Sequence, residues 1–142
     1  MEAHARRLHG DNLRIIEGPY ALGYQVDLDV RGPNDLVLVT VVFYARPAYD
    51  TYGLHAEDYP RVWAELGMPS KHRMSEDDAL CLYYPLDPPS RRWTATKGLN
   101  DLLDVTVDHL GYEAYWRATG GHAGGEWLGD EAEHGFPTVD AA

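Results

Sequence analysis

Between Tyr20 and Val30 every even-numbered residue is apolar (Tyr20, Leu22, Tyr24, Val26, Leu28, Val30), while Gln25, Asp27 and Asp29 occupy the opposite phase. A period of two over this length puts one row of side chains on a core and the other in water, the pattern of a half-buried β-strand. Gly32-Pro33-Asn34-Asp35 follows with turn chemistry. The run from Leu36 to Ala45 is then apolar except for Thr40 and rich in β-branched residues, as expected of a central strand covered on both faces. The two segments should pair as an antiparallel hairpin, which commits the first half of the chain to a sheet.

The remaining elements are arranged around that hairpin. Residues 1–9 read as a short helix ending at Gly10, residues 46–58 as irregular, and Tyr59 to Ala64 as a fourth, edge-like strand. Residues 67–78 form a polar loop containing Pro69 and Ser75-Glu76-Asp77-Asp78, and Pro85 with Asp87-Pro88-Pro89 keeps Leu80 to Tyr84 short. Thr94 or Thr96 is the expected cap of a helix running to about Ala118, with Leu99, Leu102, Leu103, Leu110, Ala114 and Trp116 on its apolar side. Gly111 weakens its middle, and Thr119-Gly120-Gly121 ends it. The segment from Gly121 to Ala142 is glycine-rich and acidic and is expected to be loose. Strands first and a long helix afterwards describe an α+β fold in one domain spanning residues 1–142, a four-stranded antiparallel meander with helices packed on one face.

Bulk properties exclude several function classes. The formal net charge of −11 opposes binding to nucleic acid, whose affinity comes mainly from Lys and Arg displacing counterions. No stretch approaches the ~20 apolar residues of a membrane span, and Met1-Glu2-Ala3-His4-Ala5-Arg6-Arg7 leads into polar sequence and not a signal core. One cysteine and no leader point to the reducing cytoplasm. No Gly-rich phosphate loop and no Gly-x-Ser-x-Gly elbow is present, so ATP chemistry would belong to another protein. His122, Glu126, Glu133 and His134 lie on the glycine-rich tail without helical spacing and read as solvated residues; no metal or other cofactor is expected.

The one cysteine, Cys81, carries the remaining interest. It cannot form an internal disulfide or a thiolate zinc cage, so its uses are nucleophilic, redox, or simply packing as a small hydrophobe. It stands in Leu80-Cys81-Leu82-Tyr83-Tyr84-Pro85, after a loop bearing His72 and Asp77-Asp78 and ahead of Trp93. A later run reads Tyr112-Glu113-Ala114-Tyr115-Trp116-Arg117-Ala118-Thr119-Gly120.

In that order these motifs resemble the ubiquitin-conjugating family, and within it the bacterial ubiquitin-conjugating-like proteins of anti-phage operons such as type II CBASS. The resemblance covers roughly residues 12–136. It implies that Cys81 accepts the C-terminal glycine of a partner protein as a thioester and passes it to a lysine or other nucleophile. The implied donor is a cyclic-oligonucleotide synthase or a ubiquitin-like modifier, with a separate activating enzyme where adenylation is needed. Even an unperturbed thiol has a few per cent thiolate near neutral pH, so strong activation is not required; nearby Asp77 and Asp78 would raise the thiol pKa.

His72 stands where the family's His-Pro-Asn motif begins. Arg73 and Met74 replace the Pro and Asn, and the missing donor can be worth ~10²–10³ in rate. The resemblance makes His72 a second catalytic candidate, as hydrogen-bond donor or proton relay, against the alternative of a loop brace. Asp78, Tyr83 and Trp93 are the candidates for contact with substrate, core burial being the competing reading for the two aromatics. Val139-Asp140-Ala141-Ala142 has no terminal glycine, so this chain is not itself read as a modifier. The competing functions are an adaptor using the same fold with an inert Cys81, favoured by the missing Asn, and a redox-responsive thiol, disfavoured by the absence of a resolving cysteine.

Overall fold

The computed structural model describes residues 12–30 and 35–131. The helix expected at 1–9, the turn residues Gly32 to Asn34 and the tail from 132, with Glu133 and His134, lie outside the described residues.

Four strands, β1 (Leu13–Glu17), β2 (Ala21–Asp29), β3 (Leu36–Tyr44) and β4 (Arg61–Ala64), form one antiparallel sheet in the order β1-β2-β3-β4. The hairpin register pairs Ala21 with Tyr44 and Asp29 with Leu36. That pairing sets Tyr24, Val26 and Leu28 beside Val41, Val39 and Val37, and β4 adds Val62 and Ala64 to the same face. The even-numbered phase of β2 is thus the buried one. β1, which has only Leu13 and Ile15 to turn inward, extends the face at one edge, and β4 is the opposite edge.

Among the described residues one α-helix, α1 (Leu99–Ala118), lies against this face, with Leu99, Leu102, Leu103 and Leu110 in the same cluster as the strand residues. Each fully buried leucine contributes ~1.5–3 kcal/mol relative to exposure. α1 begins later than the threonines suggest. Thr94 and Thr96 bond to each other at 2.9 Å, residues 95–97 make a single 3-10 turn, and Gly98 at φ 91° takes the cap position without a side-chain bond. The helix is continuous through Gly111 and ends as expected, with Thr119 folding back on the Tyr115 carbonyl and Gly120 and Gly121 at positive φ.

Two expectations are corrected. β3 is covered on one face only over its first half: Leu36 and Leu38 are 56 % and 44 % exposed because no described element packs outside the sheet. The chain after Gly121 is not loose over its described part. Gly125 closes a turn onto the Gly121 carbonyl, and Trp127 sits edge-to-face with His109 and Tyr112 of α1 at 5.1 and 5.8 Å. Glycine permits this closeness; a Cβ on Gly129 would fall 2.5 Å from the Tyr112 ring.

Candidate functional site

Leu80 joins the sheet by donating its N–H to the Val62 carbonyl of β4 at 2.8 Å, and it pairs in an isolated antiparallel bridge with Arg73. A tight turn between them carries Asp78 at φ 62°, closed by bonds from Met74 N to Ala79 O and from Asp78 N to Met74 O. This ribbon ties the backbone of Cys81 directly to that of His72: the Cys81 N–H donates to the His72 carbonyl at 3.1 Å. Ala79 and Leu80 point into the core, whereas Cys81 is half-buried at the ribbon's exit.

The thiol faces a mixed wall. Its sulfur lies 3.6 Å from Met74 Sδ. Burial pushes its pKa up to about 12, opposed by the Arg61 guanidinium and reinforced by the carboxylates of Glu76, Asp77 and Glu113. At neutral pH the thiolate fraction is then only ~10⁻⁵, far below the few per cent of an unperturbed thiol. The acidic turn acts as expected in sign through Asp77, but burial is the larger cause. Arg61 is held by the bond from its Nε to Asp77 Oδ2 at 2.9 Å and by the Tyr49 ring 3.8 Å beneath its guanidinium.

The two catalytic candidates share a backbone but not a side-chain contact. His72 Nε2 meets Glu131 Oε2 at 2.6 Å, and its ring stands 4.6 Å from Trp127. Burial lowers the His72 pKa despite the opposing Glu131 carboxylate, so near neutral pH the ring is uncharged and donates from Nε2. No hydrogen bond joins it to the Cys81 sulfur among the described residues. Lys71 Nζ also reaches Glu131, at 3.0 Å, so the strap over residues 124–131 is fastened to the His72 loop by both residues.

Asp78 braces the loop. Its Oδ2 accepts from the Gly67 N–H at 2.7 Å and from Arg73 Nη1 at 3.0 Å. Tyr83 is within the fold, its hydroxyl donating to the Asp58 carbonyl at 2.8 Å. Trp93 is 3 % exposed, stacks near Phe43 and Tyr83, and donates to the Gly98 carbonyl at 2.8 Å. The structure therefore gathers Cys81, His72 and Asp78 on one ribbon and sets the two aromatics in the packing beneath it.

Beyond Cys81 lies a buried ion network that the sequence did not signal. Arg73 forks onto Glu113 of α1 with two bonds of 2.8 Å, and His109 Nε2 and Arg117 Nη1 approach the same carboxylate at 3.3 and 3.7 Å. Glu113 is fully buried; burial alone would raise its pKa, but bonds from Arg73, His109 and Ser70 pull it down to about 2. Arg73 thus bolts the loop to the helix. Glu131, Trp127, Arg61 and Tyr59 were also missed, since each acquires its place only through contacts distant in sequence. Among the described residues no group of three or more His, Cys, Asp or Glu could hold a metal ion, and no helix is long and apolar enough to cross a membrane. Comparison with protein-family models, curated proteins and solved structures returns no match.

Proposed function

We propose that this chain is a ubiquitin-conjugating-like transferase that carries a partner's C-terminal glycine as a thioester on Cys81 and delivers it to a nucleophile on a target protein. The observation that carries the reading is the position of the thiol. Cys81 leaves the core where its neighbours Ala79 and Leu80 enter it, on a ribbon that ties its backbone to His72. The meander followed by a helix suits the same reading. The attacking species in thiol–thioester exchange is the thiolate, so on this reading the docked donor must relieve the burial that raises the Cys81 pKa or bring a base that takes its proton as the bond forms. By the resemblance, the donor is a cyclic-oligonucleotide synthase or a ubiquitin-like modifier, charged by a separate activating enzyme, in cytoplasmic anti-phage defence. Incubation with the donor and the activating enzyme, followed by gels with and without reductant, tests it: a reductant-sensitive adduct absent from Cys81→Ala is the expected result.

A second reading is favoured by one observation. A thiol held near a pKa of about 12 reacts slowly unless a partner changes its surroundings. On that reading the fold is an adaptor, and the same gels show no adduct with a competent donor.

A further inference from the structure

The first residues of β3 run past the end of β4. The Leu80 N–H donates to the Val62 carbonyl from the far side of β4, so Val62 turns its backbone away from β3. Backbone groups alternate sides along an antiparallel strand, so the β3–β4 bonds fall at Thr40 with Trp63 and at Val42 with Arg61. The same alternation points the backbone of Leu38 and Leu36 toward the line of β4, which stops short of them. Its last pair is Ala64 with Val39, and Glu65 at φ 48° carries the chain away. The Leu38 N–H and the N–H and carbonyl of Leu36 therefore face an open edge, without a hydrogen bond from any described residue. That edge borders a groove of about 420 Å³ lined by Leu36, Leu38, Trp63 and Leu66 together with Asp35 and Glu65. Leu66 is 68 % exposed. Leu36 also lines an adjoining groove of about 530 Å³ with Asp27, Asp29, Asp104 and Asp108. Carboxylates thus flank the exposed leucines on both sides, and no Lys or Arg among the described residues lines either groove; Arg14 reaches Asp27 from β1 at 3.8 Å.

We propose that residues 36–38 take an extended, basic segment of a partner protein, which adds to the sheet as a short strand in line with β4. An open edge of this kind pairs with an incoming strand, main-chain bonds giving affinity and the side-chain groove giving specificity. Here the bonds form to Leu36 and Leu38. Alternate side chains of the segment fall on the outer face, so apolar residues at those positions cover Leu36, Leu38 and Leu66, and flanking Lys or Arg meets the carboxylates. Charge selects this occupant: a second copy of the chain brings its own net −11 to the same edge, and an acidic segment is repelled in the same way. The proposal is independent of the chemistry at Cys81.

The test titrates the full, isotope-labelled chain with the capped peptide Lys-Ile-Val-Ile-Lys and follows amide hydrogen exchange by NMR. Exchange at Leu36 and Leu38 should slow about 10-fold at saturation, since their N–H groups acquire acceptors. The same peptide N-methylated at both isoleucines, which keeps the side chains and loses the donors, should give no protection, and neither should Glu-Ile-Val-Ile-Glu. Leu38→Ser, a change on the solvent side of the sheet, should weaken binding of the lysine peptide about 10-fold with the amide spectrum elsewhere unaltered. No protection by the lysine peptide, equal protection by the glutamate peptide, or protection that survives N-methylation would overturn the proposal. Protection that grows with protein concentration alone, with a doubled mass in sedimentation, would overturn it in favour of a second copy.

Discussion

Replacing Glu113 with glutamine keeps the shape of the side chain and removes the charge on which Arg73, His109 and Arg117 converge. The fall of the Glu113 pKa from 4.5 to about 2 corresponds to about 3 kcal/mol of preferential binding of the charged form in the folded state. Independently, breaking a buried pair by removing one partner costs ~3–5 kcal/mol, because Arg73 is left desolvated and half-bonded. The sign with pH follows from the depressed value: the contribution is complete above pH 4.5 and is lost as pH falls toward 2. Urea denaturation at pH 7 should therefore show Glu113→Gln about 3 kcal/mol less stable than wild type. Between pH 5 and 2 the gap should narrow, since only wild type gives up this contribution on protonation. Arg73→Met combined with Glu113→Leu should be less damaging than the sum of the two single changes, as facing apolar groups replace two orphaned charges. A Glu113→Gln loss below ~1 kcal/mol, or a gap independent of pH, would show that the network is solvated and the reasoning wrong.

Three further outcomes follow from the site. Alkylation of Cys81 by iodoacetamide should run about 10³-fold slower than that of an unperturbed cysteine at neutral pH and rise tenfold per pH unit to pH 10; a plateau below pH 9 would contradict a thiol near 12. Glu131→Gln should lower the His72 titration midpoint further, because the carboxylate is the group holding it up; Gly129→Ala, by displacing Trp127 and Glu131, should expose His72 in the same NMR titration, and an unaltered midpoint in both variants would mean the strap is absent in solution. Asp78→Ala should cost ~1–3 kcal/mol in denaturant, since it orphans the Gly67 N–H and one Arg73 donor and puts a less tolerant residue at φ 62°; a loss below ~0.5 kcal/mol would mean that the loop has other support.

The strongest local patterns proved the most legible. The alternation in β2 fixed both its buried face and its pairing with β3, because a one-residue slip would turn every apolar side chain outward. β1 escaped notice because Leu13-Arg14-Ile15-Ile16-Glu17 offers only two inward positions, too few for a period to show. Leu36 and Leu38 looked like core by composition, yet burial depends on whether another layer exists, which no strand sequence states. At the site, Cys81 and His72 were legible as residue types on one loop. Their surroundings were not: Arg73 meets Glu113 forty positions away, Trp127 and Glu131 return from a stretch whose glycines suggested looseness, and Arg61 and Tyr59 read as strand residues. The same glycines are what let that stretch close against Tyr112 and Trp116.

Whether Cys81 holds an acyl group is read from the intact mass of Cys81→Ser after incubation with a donor ending in glycine and its activating enzyme. The expected product is a stable ester whose mass is that of the two chains less one water, mapped by fragmentation to the substituted position, with wild type giving the corresponding reductant-labile thioester and Cys81→Ala giving neither. An unmodified Cys81→Ser chain alongside a fully charged activating enzyme, or an adduct that persists in Cys81→Ala, would contradict acylation at Cys81.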